Sequence, residues 1–177
     1  MQPEPDTKDW TWVLREPCPE CGFDASASSR SELADLTAEV GRRWVDALPL
    51  VSEPRTRPAP VVWSPLEYAC HVRDVFALAT YRVGLMRMQD APRFPNWDQD
   101  ATAIEDDYAS QDPVVVTEQL RGTAAEFADV VASVGDDEWQ RPGLRGDGAE
   151  FTVESFVRYL LHDPVHHLTD VTGQRWA

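Results

Sequence analysis

Apolar residues recur every three to four positions in four long stretches of this chain, and each recurrence predicts an amphipathic helix. In residues 29–48 the stripe is Leu33, Leu36, Val40, Trp44 and Ala47, with Arg42, Arg43 and Asp46 off it. The second helix opens at Trp63-Ser64-Pro65-Leu66-Glu67, where Ser64 is a cap, Pro65 suits the first helical position and Glu67 completes a capping box. Its stripe runs through Tyr68, His71, Val72, Val75, Leu78, Ala79 and Arg82. The third opens on Asp112-Pro113, carries Val116, Leu120, Ala124, Phe127, Val131 and Val134, and ends near Gly135. The fourth starts at the natural cap Thr152, with Glu154 placed for the positive end of the helix dipole.

Between these stretches the period is lost. Residues 49–60 are proline-rich and read as a long connection crossing from one end of a bundle to the other. Residues 90–112 form a long irregular loop between the second and third helices, and their aromatic and amide content, Trp97 and Asp98 included, suits the wall or lid of a cleft. Residues 139–148 are crowded with turn formers, and a hairpin and a plain loop both remain open. Residues 1–28 are poor in periodicity, with Trp10 to Leu14 expected as an extended arm and Cys18-Pro19-Glu20-Cys21-Gly22 following it. The expected organisation is an all-α protein: an irregular arm over 1–28 carrying the CPECG turn, and a four-helix bundle over 29–177.

Bulk properties narrow the partners. A chain of 177 residues suits one domain with a core that needs no staples. The formal net charge of −15 argues against a nucleic-acid partner, because a phosphate backbone calls for a clustered basic face and Lys8 is the sole lysine. No apolar run approaches the roughly 20 residues that cross a bilayer, so no membrane partner is expected. The acidic start, Met1 to Asp6, lacks the order of a signal peptide, and a cytoplasmic location is expected. Three cysteines do not make a disulfide framework.

The chemistry concentrates in imidazole. Three of the four histidines, His162, His166 and His167, lie in the last helix, and the fourth, His71, sits on the apolar stripe of the second. Such a distribution points to a divalent metal gripped between helices. Two i, i+4 pairs compete in the last helix. Val153, Phe156, Leu160, Pro164, His167, Leu168 and Val171 define its apolar face with Asp163 at the edge, whereas Ser155, Arg158, Tyr159, His162, His166 and Thr169 form a more polar stripe about 100° away. The inward set is therefore His71, Asp163 and His167, two imidazoles and a carboxylate that leave coordination positions open. The alternative joins His71 to His162 and His166. That outer pair is otherwise a surface feature, or the other half of a closed structural zinc site with Cys18 and Cys21. Those cysteines also read as ordinary thiols or as a redox pair.

With Trp63-Ser64-Pro65, the Glu67, His71, Asp74 series and the histidine motif of the last helix, residues 29–173 resemble the DinB-like superfamily. Its four-helix metalloproteins include the N-terminal domain of mycothiol-dependent maleylpyruvate isomerase and the mycothiol and bacillithiol S-transferases. Carried over, the helix-two ligand falls on His71 and the last-helix pair on Asp163 and His167, where the aspartate departs from the family's usual histidine or glutamate. The CPECG arm is outside the general pattern. The resemblance implies a bound divalent metal, with zinc expected and nickel, iron or manganese as alternatives. It also implies transferase or isomerase chemistry in which a low-molecular-weight thiol such as mycothiol attacks a small-molecule electrophile. Tyr68, Trp97 and Asp98 would line the pocket, and Asp74 or Asp170 would orient an imidazole. A non-catalytic metal-binding stress or interaction protein, possible as a homodimer through helix faces, is the competing expectation.

Overall fold

In the computed structural model, which describes residues 9–176, three of the four long helices begin on a side chain that satisfies their free backbone donors. The segment 1–6 and Lys8 lie outside the described residues. Ser64 accepts from the Glu67 N–H and Glu67 accepts from the Ser64 N–H, so α2 (Pro65–Met88) starts at Pro65. Ser29 and Glu32 lead through a short 3-10 turn into α1 (Leu33–Ala47). A seven-residue helix that periodicity had no room to reveal, α3 (Gln99–Glu105), is capped by Asp98. Asp112 caps α4 (Pro113–Ala132), and Thr152 caps α5 (Val153–Thr172) with Ser155 reciprocating.

The four long helices form a bundle in which α1 and α2 each pack against both α4 and α5. The two helices of the first half are thus diagonal to one another, and residues 48–64 cross one end of the bundle to join them. Leu66 N–H donates to the Pro54 carbonyl, and the Arg57 guanidinium pairs with the buried Glu67, which fastens this crossing to the start of α2. Burial pushes the Glu67 carboxyl up, but Arg57 and Ser64 more than offset it and hold it below its ordinary value.

The open question at residues 139–148 resolves as a hairpin. β2 (Pro142–Arg145) pairs antiparallel with β3 (Glu150–Thr152), and a two-residue β1 (Arg93–Phe94) joins β2 in parallel. A strand this short leaves no alternation to read in the sequence. The expected extended arm at Trp10 is corrected: Trp10–Leu14 is a 3-10 turn, because Asp9 caps it through the Thr11 N–H and Val13 is buried beneath it. No helix among the described residues is long and apolar enough to cross a membrane.

Two contacts set the spacing and the rotation of the helices around the core. The Trp44 indole of α1 is buried and donates to the Pro164 carbonyl of α5 at 2.8 Å. Gly41 of α1 lies directly against Ala124 of α4; a Cβ built on Gly41 would stand 2.4 Å from the Ala124 Cβ. Ala124 cannot rotate its methyl away, so any side chain at 41 must push the helices apart. Gly41→Ala gains about 1 kcal/mol of helix propensity, but overpacking of a tight core costs about 1–3 kcal/mol, occasionally more. We expect the clash to win and Tm to fall by several degrees in thermal unfolding. Adding Ala124→Gly should recover most of that loss, whereas an unchanged Tm for the single variant would refute the close approach.

Candidate metal centre

Nearly the whole circumference of α2 is buried through its first half, because α4 and α5 flank it and residues 89–112 cover it. His71 is therefore fully buried. Its ring lies flat against Trp97 at 5.3 Å between centroids and an interplanar angle of 2°, with Trp63 5.2 Å away. The structure brings His71, Asp163 and His167 together, with one donor atom from each within 4.8 Å of the others. His71 Nε2 is 3.1 Å from Asp163 Oδ1, and His167 Nε2 is 3.9 Å from Asp163 Oδ2.

The surroundings fix how these groups present themselves. Asp170 Oδ2 sits 3.0 Å from His167 Nδ1, which favours a proton on that nitrogen and turns Nε2 toward Asp163. Tyr68 packs on the His167 ring at 4.6 Å. Burial raises the Asp163 carboxyl, but the neighbouring imidazoles of His71 and His167 outweigh it and hold the group well below the usual carboxylate range. Buried His71 Nδ1 has no hydrogen-bond partner. The nitrogen that faces the ionised carboxylate and the second imidazole is Nε2, which makes it the donor available to this group. Two imidazole nitrogens and one carboxylate fit a divalent ion with positions left for other ligands.

Asp74, the other expected orienting carboxylate, is directed elsewhere. It pairs with Arg73 at 2.7 Å and accepts from the buried Tyr108 hydroxyl, three residues round α2 from His71. The union of His71 with His162 and His166 does not form either, and those two histidines are not a surface feature. His162 is only 4% exposed, because the N-terminal arm folds over it and gathers Cys18, Cys21, His162 and His166 within 4.8 Å of one another.

The inward set opens on a cleft of about 740 Å³ lined by Tyr68, Trp97 and Asp98 and also by Trp63, Arg82 and Arg145. Trp97 is anchored by its indole N–H to Thr102 at 2.7 Å. The arginines carried no assignment from the sequence, although Arg82 stood on the apolar stripe of α2, where a charge needs a reason. Arg82 is buried, donates to the Pro95 carbonyl and keeps its Nε unpartnered. Burial, with the nearby charge of Arg145, pulls its pKa down to about 10, so it remains cationic at neutral pH. Among the described residues lining the cleft there is no serine, threonine, cysteine or lysine. Cys70, adjacent to His71 in sequence, faces Tyr108 and Gln111, and burial pushes its thiol up to about 12.

The family model of the DinB superfamily matches residues 33–171. Among solved structures, the chain is similar to YfiT from Bacillus subtilis, a probable metal-dependent hydrolase with an unusual four-helix bundle topology. The TM-score is 0.75 at 18% identity, over 93% of this chain and 94% of that one. No protein of curated function matches.

The buried imidazole at 162 makes a prediction about acid. Burial, and then the charge of His166, pull His162 down to about 4, against an ordinary value of about 6.5. Between those values the unfolded chain takes up a proton that the folded chain refuses. Stability is therefore intact above about pH 6.5 and is lost as pH falls toward 4. In chelator-stripped protein, the unfolding free energy should drop by about 2 kcal/mol more from pH 7 to 4.5 in wild type than in His162→Gln. Equal losses in denaturant titrations at the two pH values would contradict the burial of this ring.

Proposed function

This chain belongs to the DinB superfamily, and from that premise we propose that it is a divalent-metal-dependent enzyme acting on a small molecule held in the cleft. His71, Asp163 and His167 would hold the ion. The observation that carries the reading is the pairing of this His₂Asp set with a cleft whose lining has no thiol, amine or aliphatic hydroxyl among the described residues. The lining offers carboxylates, imidazoles and phenols but none of those three groups, which supports a nucleophile supplied from outside the chain. When bound, a divalent ion in such a set supplies Lewis acidity and lowers the pKa of a ligand that reaches its open positions.

The side chains do the rest. Asp170 favours a proton on His167 Nδ1 and fixes the ring's orientation. Trp97 stacks on His71 and Trp63 packs against it at a tilt, and together they keep water from the ring. The Tyr68 hydroxyl, pushed up to about 12 by burial and the charge of Asp170, stays protonated and remains a donor toward a bound molecule. Arg82 gives the same cleft a buried cation, which suits a substrate carrying a carboxylate or similar anion, whereas Arg145 is already paired with Asp147 at 2.8 Å.

The external nucleophile we favour is a low-molecular-weight thiol of the mycothiol kind, making the reaction a thiol transfer to an electrophile. The second reading is hydrolysis, with water in the thiol's place, and it is supported by the likeness to YfiT. The two separate by assay. Metal-loaded protein should accelerate conjugation of mycothiol, bacillithiol or N-acetylcysteine to an activated aryl halide, and chelation should abolish the acceleration. Cleavage of esters or amides without thiol would favour the hydrolase. His71→Ala and His167→Ala should fall to the uncatalysed rate. Asp170→Asn should lose about 10–100-fold in kcat/KM, the usual cost of removing a residue that orients a metal ligand. Absence of metal-stimulated turnover with either nucleophile would overturn both readings in favour of a non-catalytic metal-binding protein.

A further inference from the structure

The CPECG turn takes no part in the His71, Asp163 and His167 set, yet its two cysteines are among the most buried residues in the chain, at 1% and 0% exposed. We propose that Cys18, Cys21, His162 and His166 form a second and closed metal site, a structural Zn²⁺ centre that clasps the N-terminal arm onto α5. The spacing is C-x₂-C with H-x₃-H, the usual ligand arrangement of a Cys₂His₂ site. Bonds of roughly 2.3 Å to sulfur and 2.0–2.1 Å to nitrogen place the donors of a tetrahedron about 3.3–3.8 Å apart. Cys18 Sγ lies 3.8 Å from His166 Nδ1, and all four donors lie within 4.8 Å of one another.

Each partner is prepared for that role. The turn closes through the Gly22 N–H to the Cys18 carbonyl, and Gly22 has φ +84°, a conformation that strains other residues. A Cβ there would also lie 2.8 Å from the Trp176 carbonyl. The Phe23 N–H points at Cys21 Sγ at 3.5 Å, as a donor to a thiolate should. On the far side of His166, Glu20 Oε2 stands 3.5 Å from Nε2 and favours a proton on that nitrogen, leaving Nδ1 to face the cysteine. His162 Nε2 is buried with no partner, and its ring is covered by Trp10 at 5.1 Å and Phe23 at 6.2 Å.

Charge separates the two sites. Binding Zn²⁺ here releases two thiol protons to solvent, so two thiolates cancel the ion and the site is neutral enough to bury. The His₂Asp set leaves a divalent ion one positive charge in excess and faces the cleft. A disulfide between Cys18 and Cys21 would leave His162 Nε2 orphaned.

The experiment is metal analysis of the full-length, untagged protein. Wild type should hold two zinc equivalents, of which one is released by an organomercurial that caps thiolates. Cobalt-loaded wild type should show a thiolate-to-cobalt charge-transfer band. Cys18→Ser/Cys21→Ser should retain one equivalent and lose the band, and His71→Ala/His167→Ala should keep the band. Should the serine variant fail to fold, the mercurial and cobalt readings on wild type decide by themselves. The proposal is overturned by wild type that releases no zinc to the mercurial, by cobalt protein without a thiolate band, or by a Cys18–Cys21 disulfide in freshly isolated protein. Because the band belongs to sulfur ligation alone, its absence would leave the enzyme reading at His71 standing, and its presence would not rescue it.

Discussion

The rotation of α5 about its own axis is the constraint from which the chemistry follows. Residues 162 and 166 and residues 163 and 167 are two i, i+4 pairs offset by one position, so their side chains leave the helix about 100° apart. One pair turns toward the arm and meets sulfur, and the other turns toward α2 and meets His71. A slip of one residue would exchange the faces and destroy both groupings. Several contacts oppose such a slip. Trp44 grips the Pro164 carbonyl from the bundle side. On the arm side, Arg158 donates to the carbonyls of Ala25 and Ser28 at 2.6 and 2.8 Å, and Glu154 pairs with Arg30.

Opposite electrostatic environments arise from these two faces. Toward the arm, aromatic rings and buried thiols surround softer donors, with His162 and His166 also reaching the edge of the cleft. Toward the cleft, carboxylates at 163 and 170 keep the imidazoles oriented, and Arg82 supplies positive charge within the same cavity, with Arg145 paired to Asp147. In a protein of net charge −15, a buried cation placed beside an otherwise acidic site is a selective rather than a general attractor. A harder donor set on one face and a softer one on the other make two candidate metal sites on one helix. Membership in the DinB superfamily accounts for the bundle and does not by itself fix what these side chains do.

Much of this was legible in one dimension. The capping signals at Ser64, Asp112 and Thr152 start their helices where local hydrogen bonding dictates, and a 3.6-residue stripe suffices to mark a helix that buries one face. The phase of the last helix likewise singled out Asp163 and His167, because their spacing is a property of the helix itself. Less came through where burial is not one-sided. α2 is covered nearly all round, so its stripe understated its burial and gave Arg82 no role. Asp74 had the right spacing to support His71, but Tyr108, arriving from a loop far along the chain, claims its carboxylate.

What the sequence determined by itself is therefore local: where helices begin, which side chains share a face, and which donors recur one turn apart. Tertiary structure alone decided which faces meet. The polar stripe of His162 and His166 looked solvent-exposed because nothing within α5 covers it; the cover is supplied by a turn 140 residues earlier, whose arrival depends on contacts that no periodicity encodes. Helical phase is set by backbone geometry within a few residues, whereas the partner across a face is set by packing between segments distant in the chain.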